Sequence, residues 1–220
     1  MKILVTAGGT KEYIDGVRYI GNCSSGQTGA ELVDHLASLG HEVTWLGAKT
    51  AVRPNKNVTQ LIYETFDELS SAMQKSLANS HFDVVFQAAA VSDFKVSSVR
   101  LDGIHFTAGR GVKLPTADEV QLQLTKQPKL VSSVKSWSNN SAVKVVAFKL
   151  TNSSDDAVKK AAIAKLLKQS AVDFVAHNDL NEISDSTHGF CLYSHLEDSV
   201  SCDNVQAMAD TVLGFIGGAA

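Results

Sequence analysis

The chemistry in this chain starts with glycines and serines near its N-terminus. A short apolar run ends at Thr6, and Ala7-Gly8-Gly9-Thr10 follows. A further stretch leads to Gly21-Asn22-Cys23-Ser24-Ser25-Gly26-Gln27-Thr28-Gly29, where a helical pattern begins. Ser24, Ser25 and Gly26 offer hydroxyls and an unobstructed backbone at a helix N-terminus, where unsatisfied N–H groups favour phosphate. A turn closed by a serine cap would use the same residues. The length of the connection favours a ligand site, because strand-to-helix connections in α/β units usually take about 2–6 residues. A long, glycine-punctuated loop at the C-terminal end of a strand lies where open α/β sheets bind ligands.

Two familiar phosphate motifs fail here. Gly21-x-x-x-x-Gly26-Gln27-Thr28 has the outline of a P-loop, but Gln27 stands where its lysine belongs and no strand leads directly into it. A dinucleotide fingerprint needs GxGxxG right after the first strand and an acidic residue ending the second. That second strand instead runs into Leu46-Gly47-Ala48-Lys49.

Three further places could join the first loop. Gln87-Ala88-Ala89-Ala90-Val91-Ser92-Asp93-Phe94 offers small residues that let a ligand approach the backbone. Asp93 could accept hydrogen bonds from a ribose, help hold a metal, or cap a helix. Gly109-Arg110-Gly111-Val112-Lys113 puts two cations on a glycine-flanked segment, a pattern suited to closing over a triphosphate and neutralising a leaving pyrophosphate. Taken alone, Lys113 reads as a solvated loop lysine. Phe148-Lys149 and His177-Asn178-Asp179 end later strands. Phe148 could stack on a base and Asn178 read its edge, while core packing and an Asx-turn use the same residues.

Alternating apolar runs and amphipathic stretches must position these groups, the pattern of βαβ units and an α/β fold with a mostly parallel sheet. Strands are expected at Lys2–Thr6, Glu42–Leu46, Val58–Tyr63, Asp83–Ala88, Lys144–Phe148 and Asp173–Ala176. Gly189–Ser194 reads as a further edge strand, expected antiparallel. Helices are expected at Gln27–Leu39, with Gly40 as a stop, at Asp155–Gln169 and at Asp203–Ile216; their apolar stripes read as core. Residues 97–118 are less regular, with Gly103, Gly109, Gly111 and Pro115 amid charges, and form a candidate mobile flap.

The 220 residues suit a single domain. With 20 Lys plus Arg against 23 Asp plus Glu, the formal net charge of -3 provides no footprint for nucleic acid or an anionic membrane. No apolar run reaches the length of a membrane span or a signal-peptide core. Cys23, Cys191 and Cys202 lack CxxC spacing and read as reduced thiols in a cytoplasmic protein, and the scattered histidines suggest no metal site.

Taken together, the motifs resemble the phosphopantothenoylcysteine synthetase (phosphopantothenate–cysteine ligase) family of coenzyme A biosynthesis. The likeness is strongest from Val5 to Gly26, through Thr6-Ala7-Gly8-Gly9-Thr10, Glu12, Ile14-Asp15, Val17-Arg18, Ile20, Asn22 and Ser24-Ser25-Gly26. It continues in order through Ala88–Phe94, the flap, Pro128-Lys129-Leu130, Phe148-Lys149 and Asp173–Asp179. The resemblance implies a Rossmann-like three-layer fold, a homodimer and a two-step ligation. In that reaction the 4′-phosphopantothenate carboxylate attacks the α-phosphorus of CTP, or of ATP, with Mg2+ assisting. Pyrophosphate leaves, and the amine of L-cysteine then displaces the nucleotide. The chain begins at the synthetase's first strand, so no flavin-dependent decarboxylase domain and no flavin are expected. By motif, Gly8, Gly9, Ser24, Ser25 and Gly26 would cradle phosphates and Asn22 would contact the acyl group. Ala89 and Asp93 would hold the nucleotide, Lys113 or Arg110 the triphosphate, and Phe148 with Asn178 the base region. Three departures from the family stand out: a flap without its lysine-rich motif, Leu150-Thr151-Asn152 in place of a Glu-Thr pair, and Gln27 in place of a lysine or arginine. The alternatives are an NAD(P)-dependent oxidoreductase, which the missing fingerprint disfavours, and a non-catalytic nucleotide-binding relative.

Overall fold

The computed structural model describes residues 1–184 and 188–218. In chain order the elements are β1 (Lys2–Ala7), β2 (Lys11–Tyr13), β3 (Tyr19–Gly21), α1 (Gln27–Ser38), β4 (Glu42–Ala48), β5 (Thr59–Tyr63), α2 (Phe66–Asn79), β6 (Val84–Gln87), β7 (Phe94–Leu101), β8 (Ile104–Thr107) and β9 (Val120–Lys126). After a 3₁₀ turn at Leu130–Ser133 come α3 (Val134–Trp137), β10 (Lys144–Thr151), α4 (Asp156–Leu167), β11 (Phe174–Asp179), β12 (Phe190–His195), β13 (Asp198–Cys202) and α5 (Val205–Gly217).

The central sheet has eight strands in the order β13-β12-β11-β10-β6-β1-β4-β5. From β5 to β11 every pairing is parallel, and β12 and β13 add antiparallel. Strands buried on both faces need near-continuous apolar sequence, and Ile3, Leu4, Val5, Val84, Val85, Phe86, Val145 and Val146 are each fully buried. This is the expected mostly parallel α/β sheet with a Rossmann-like topology. The order reverses beside β1: β4 lies on one side and β6 on the other, which opens a crevice at the C-terminal strand ends. Helix starts are set by side chains. Thr65 and Glu68 form a reciprocal capping box at α2, Asp155 caps α4 and Asn204 caps α5. At α1 the cap position is Gly26, at φ 76°, which supplies no side-chain oxygen.

Three expectations need correcting. The segment 190–195 pairs antiparallel as expected, but β13 covers it, so it is not the edge. The stretch 97–118 is not irregular throughout. Most of its first half lies in β7 and β8, which join β9 in a separate three-stranded antiparallel sheet over a small cluster of Val96, Val99, Leu101 and Leu114. A bulge between Val96 and Ser98 breaks the alternation of β7, so the buried valines fall three residues apart and hide the strand period. Helix α2 was not expected, although its capping box and Leu69, Met73 and Leu77 at four-residue spacing are written in the sequence.

Candidate active site

The loops after β1 and β6 are stitched together backbone to backbone. Ala90 N donates to Gly8 O at 2.9 Å, Thr10 N donates to Ala90 O at 3.2 Å, and Gly9 bridges Ala90 in parallel register. Two threonine hydroxyls extend the seam, Thr6 Oγ1 accepting from Ala89 N at 3.1 Å and Thr10 Oγ1 from Ser92 N at 2.9 Å. From beneath, the Tyr63 hydroxyl donates to Ala7 O and Gly8 O, each at 2.9 Å. The loop of Ser24, Ser25 and Gly26 is held in turn: Ser25 O accepts from Val52 N at 2.8 Å, and Ser25 Oγ accepts from Gln27 N at 3.3 Å. Asn22 crosses so close above Gly9 that a Cβ on Gly9 would lie 2.5 Å from Asn22 O.

A cavity of about 900 Å³ opens over this seam at the C-terminal edge of the sheet. Asn22, Ser24, Ser25 and Gly26 line one side, Ala89 and Asp93 the middle, and Phe148 and Asn178 the far end. Residues scattered over the whole sequence are thus gathered around one space of the size that holds a small-molecule ligand. Phe148 serves packing and cavity at once: its ring meets Phe190 edge-on at 5.9 Å while it lines the opening. Asn178 Nδ2 lies 2.9 Å from His188 Nε2, and the His188 ring packs 4.9 Å from Phe190. Asp93 is ion-paired with Lys129 at the rim.

Position 178 is fixed by its neighbour. Asp179 is fully buried and accepts from the Thr151 hydroxyl, from Asn181 N at 3.0 Å and Ser153 N at 3.2 Å, and from Asn181 Nδ2. The Thr151 hydroxyl, with these N–H donors, holds its carboxyl far below the usual carboxylate range. Burial lowers the pKa of the adjacent His177, whose Nε2 is 2.8 Å from Thr151 Oγ1. Thr151 therefore anchors Asp179 beside Asn178.

Four expected residues do not line the cavity. Gly8 and Gly9 lie beneath it in the seam. Arg110 and Lys113 are held away, because their loop is docked on the turn between β2 and β3. There the buried Asp15 carboxylate accepts from Val17 N, Arg18 N, the Arg18 guanidinium and Leu114 N, and Gly16 N donates to Val112 O at 2.6 Å. The Arg18 guanidinium, together with these N–H donors, drives the Asp15 carboxyl far down. Arg110 pairs with Glu64 and lies over the Tyr13 ring at 4.5 Å. No ion pair or hydrogen bond engages Lys113 among the described residues. Sequence reasoning also passed over Gln87, Lys149, Lys165 and His188 as site residues, and all four line the cavity. Gln87 and Lys149 lie within motifs already noted, though without a role there; nothing local marks the other two.

Among the described residues no group of three or more His, Cys, Asp or Glu side chains could hold a metal, and no helix is long and apolar enough to cross a membrane. All three cysteines are free.

Comparisons with known proteins bear on the family and the fold. The family profile for the DNA/pantothenate metabolism flavoprotein C-terminal domain matches residues 1–214. The coenzyme A biosynthesis bifunctional protein CoaBC of Thermococcus kodakarensis is 34% identical over 179 residues, 81% of this chain and 41% of that protein. Its Vibrio vulnificus counterpart is 30% identical over the same shares. The chain thus spans about two fifths of the curated relatives it matches. The crystal structure of the DNA/pantothenate metabolism flavoprotein from Streptococcus pneumoniae superposes with a TM-score of 0.86 at 26% identity, over 100% of both chains. A Cab2 mutant in complex with phosphopantothenate-cysteine shares the fold at 19% identity, with a TM-score of 0.73 over 98% of this chain and 88% of that one. With the family profile matched over nearly its whole length, this chain belongs to the DNA/pantothenate metabolism flavoprotein C-terminal domain family.

Proposed function

We propose that this chain is a cytoplasmic phosphopantothenate–cysteine ligase, acting as a homodimer and using CTP, with ATP as the alternative nucleotide. The observation that carries the reading is the single cavity joining Asn22, Ser24–Gly26, Ala89, Asp93, Phe148 and Asn178 at the switch point of the sheet. The Thermococcus relative acts in coenzyme A biosynthesis by name, and the Cab2 mutant was solved with phosphopantothenate-cysteine.

The triphosphate rests on the N-terminus of α1, where Ser24, Ser25 and Gly26 present hydroxyls and backbone N–H groups. The base lies toward Phe148 and Asn178. The 4′-phosphopantothenate carboxylate attacks the α-phosphorus, the bond to the β-phosphate oxygen breaks, and pyrophosphate leaves. The amine of L-cysteine then attacks the acyl carbon, the bond to the nucleotide oxygen breaks, and the amine proton is lost to solvent. The Asn22 carboxamide stabilises the negative charge that grows on the acyl oxygen in this second step. Asp93 is the one carboxylate among the described lining residues, so Mg2+ would be held chiefly by the oxygens of the triphosphate, the usual arrangement for this ion. It would supply charge neutralisation on the departing pyrophosphate.

Arg110 is spent on Glu64 and Tyr13, which leaves Lys113 as the flap cation. It reaches the triphosphate by movement of its loop or from the second copy of the dimer. The test is pyrophosphate release with CTP, 4′-phosphopantothenate and L-cysteine. Lys113→Ala should slow it by about 10²–10³-fold, the scale for one preorganised electrostatic contact, and Arg110→Ala should act mainly on stability. No release with CTP or ATP, together with binding of NADPH, would overturn the ligase reading.

A further inference from the structure

Gln87 ends β6 in the middle of the sheet, paired in register with Thr6 of β1 and Ala147 of β10, and it lines the cavity. It is 8% exposed, and its Oε1 is buried without a hydrogen-bond partner. No hydrogen bond from its Nε2 occurs among the described residues either. A buried carbonyl oxygen left without a donor is destabilising, and an apolar side chain of similar shape would avoid that cost. Several nearby polar groups are already engaged. Thr6 accepts from Ala89 N, Thr10 from Ser92 N, Asp93 pairs with Lys129, and Asn178 meets His188. Among the described residues the only other buried, unpartnered side-chain polar atom is Trp45 Nε1, which does not line the cavity.

The strand order says which part of a ligand lies over Gln87. The phosphate loop follows β1 on one side, and Phe148 and Asn178 stand on β10 and β11 on the other. A nucleotide laid between these ends spans β6 with its sugar. A ribose carries two adjacent hydroxyls, each both donor and acceptor, and a carboxamide presents an acceptor and a donor side by side. One hydroxyl can donate to Oε1 while the other accepts from Nε2. We propose that Gln87 is a specificity contact that reads the ribose diol of the nucleotide in this cavity. The inference rests on the nucleotide reading of the site and adds a side chain to it.

The test titrates CTP and 2′-deoxy-CTP, each with magnesium and without the other substrates, into wild-type protein and Gln87→Leu by calorimetry. Wild type should bind CTP about tenfold more tightly than 2′-deoxy-CTP, the scale of one hydrogen bond. Gln87→Leu should bind both no more tightly than wild type binds 2′-deoxy-CTP, its preference falling below about twofold, and its melting temperature should match or exceed that of wild type. Gln87→Met, unbranched like glutamine, repeats the measurement where leucine disturbs packing. A tenfold preference that survives both substitutions, or no preference in wild type, would overturn the role of Gln87 and leave the nucleotide reading intact. Wild type that binds neither nucleotide nor ATP would overturn that reading and the ribose contact with it.

Discussion

Replacing Gly9 with alanine tests whether the rate depends on where the backbone of Asn22 is held. The backbone of Gly9 is not in the left-handed region, so alanine meets no conformational penalty there. The obstacle is contact. The new Cβ would lie 2.5 Å from Asn22 O, and the neighbour is backbone, which cannot rotate aside. Restoring an ordinary C···O separation of about 3.3 Å needs a retreat of about 0.8 Å. Displacements near 1 Å at a reacting centre cost on the order of 10²-fold in rate, so Gly9→Ala should lower kcat/KM for L-cysteine in amide formation by about that factor. Asn22 lies in an exposed stretch, so the melting temperature should fall by less than about 4 °C, or roughly 1–2 kcal/mol for a domain of this size. Gly214→Ala is the control, because its Cβ meets nothing within 4 Å on the remote helix α5. Wild-type kcat/KM in Gly9→Ala would refute the argument that this contact sets the position of Asn22.

Two further outcomes follow from buried polar groups. Tyr63→Phe keeps the ring and removes the donor to Ala7 O and Gly8 O; a loss of about 1–2 kcal/mol should lower the melting temperature by roughly 2–8 °C, and an unchanged melt would show that the hydroxyl contributes nothing net. Asp15 and Asp179 have depressed pKa values. Their stabilisation is therefore present above the unfolded carboxylate value of about 3.9 and is lost as pH falls below it toward the native values. Asp179→Asn should melt lower than wild type at pH 7 and lose less between pH 5 and pH 3; parallel curves would sink the assignment.

Local chemistry alone determined a good share of this protein. The apolar runs of β1, β4, β6 and β10 and the stripes of α1 and α5 lie within a few residues of where the periodicity puts them, because period and capping depend on neighbours in the chain. The long, glycine-rich connection after β1 and the small residues after β6 meet at the cavity for the same reason: the C-terminal ends of parallel strands share one edge. Folding decided what depends on distant partners. The bulge in β7 appears only when β9 lies beside it. Arg110 and Lys113 look alike in sequence, but Glu64 claims one and Asp15, through Leu114 N, ties down the loop that carries both. The residue type at Gln87 does not say whether its carboxamide finds a partner. That its carboxamide oxygen is buried at a cavity floor without a donor follows only from the strands on either side, because hydrogen-bond satisfaction is a property of the packed chain.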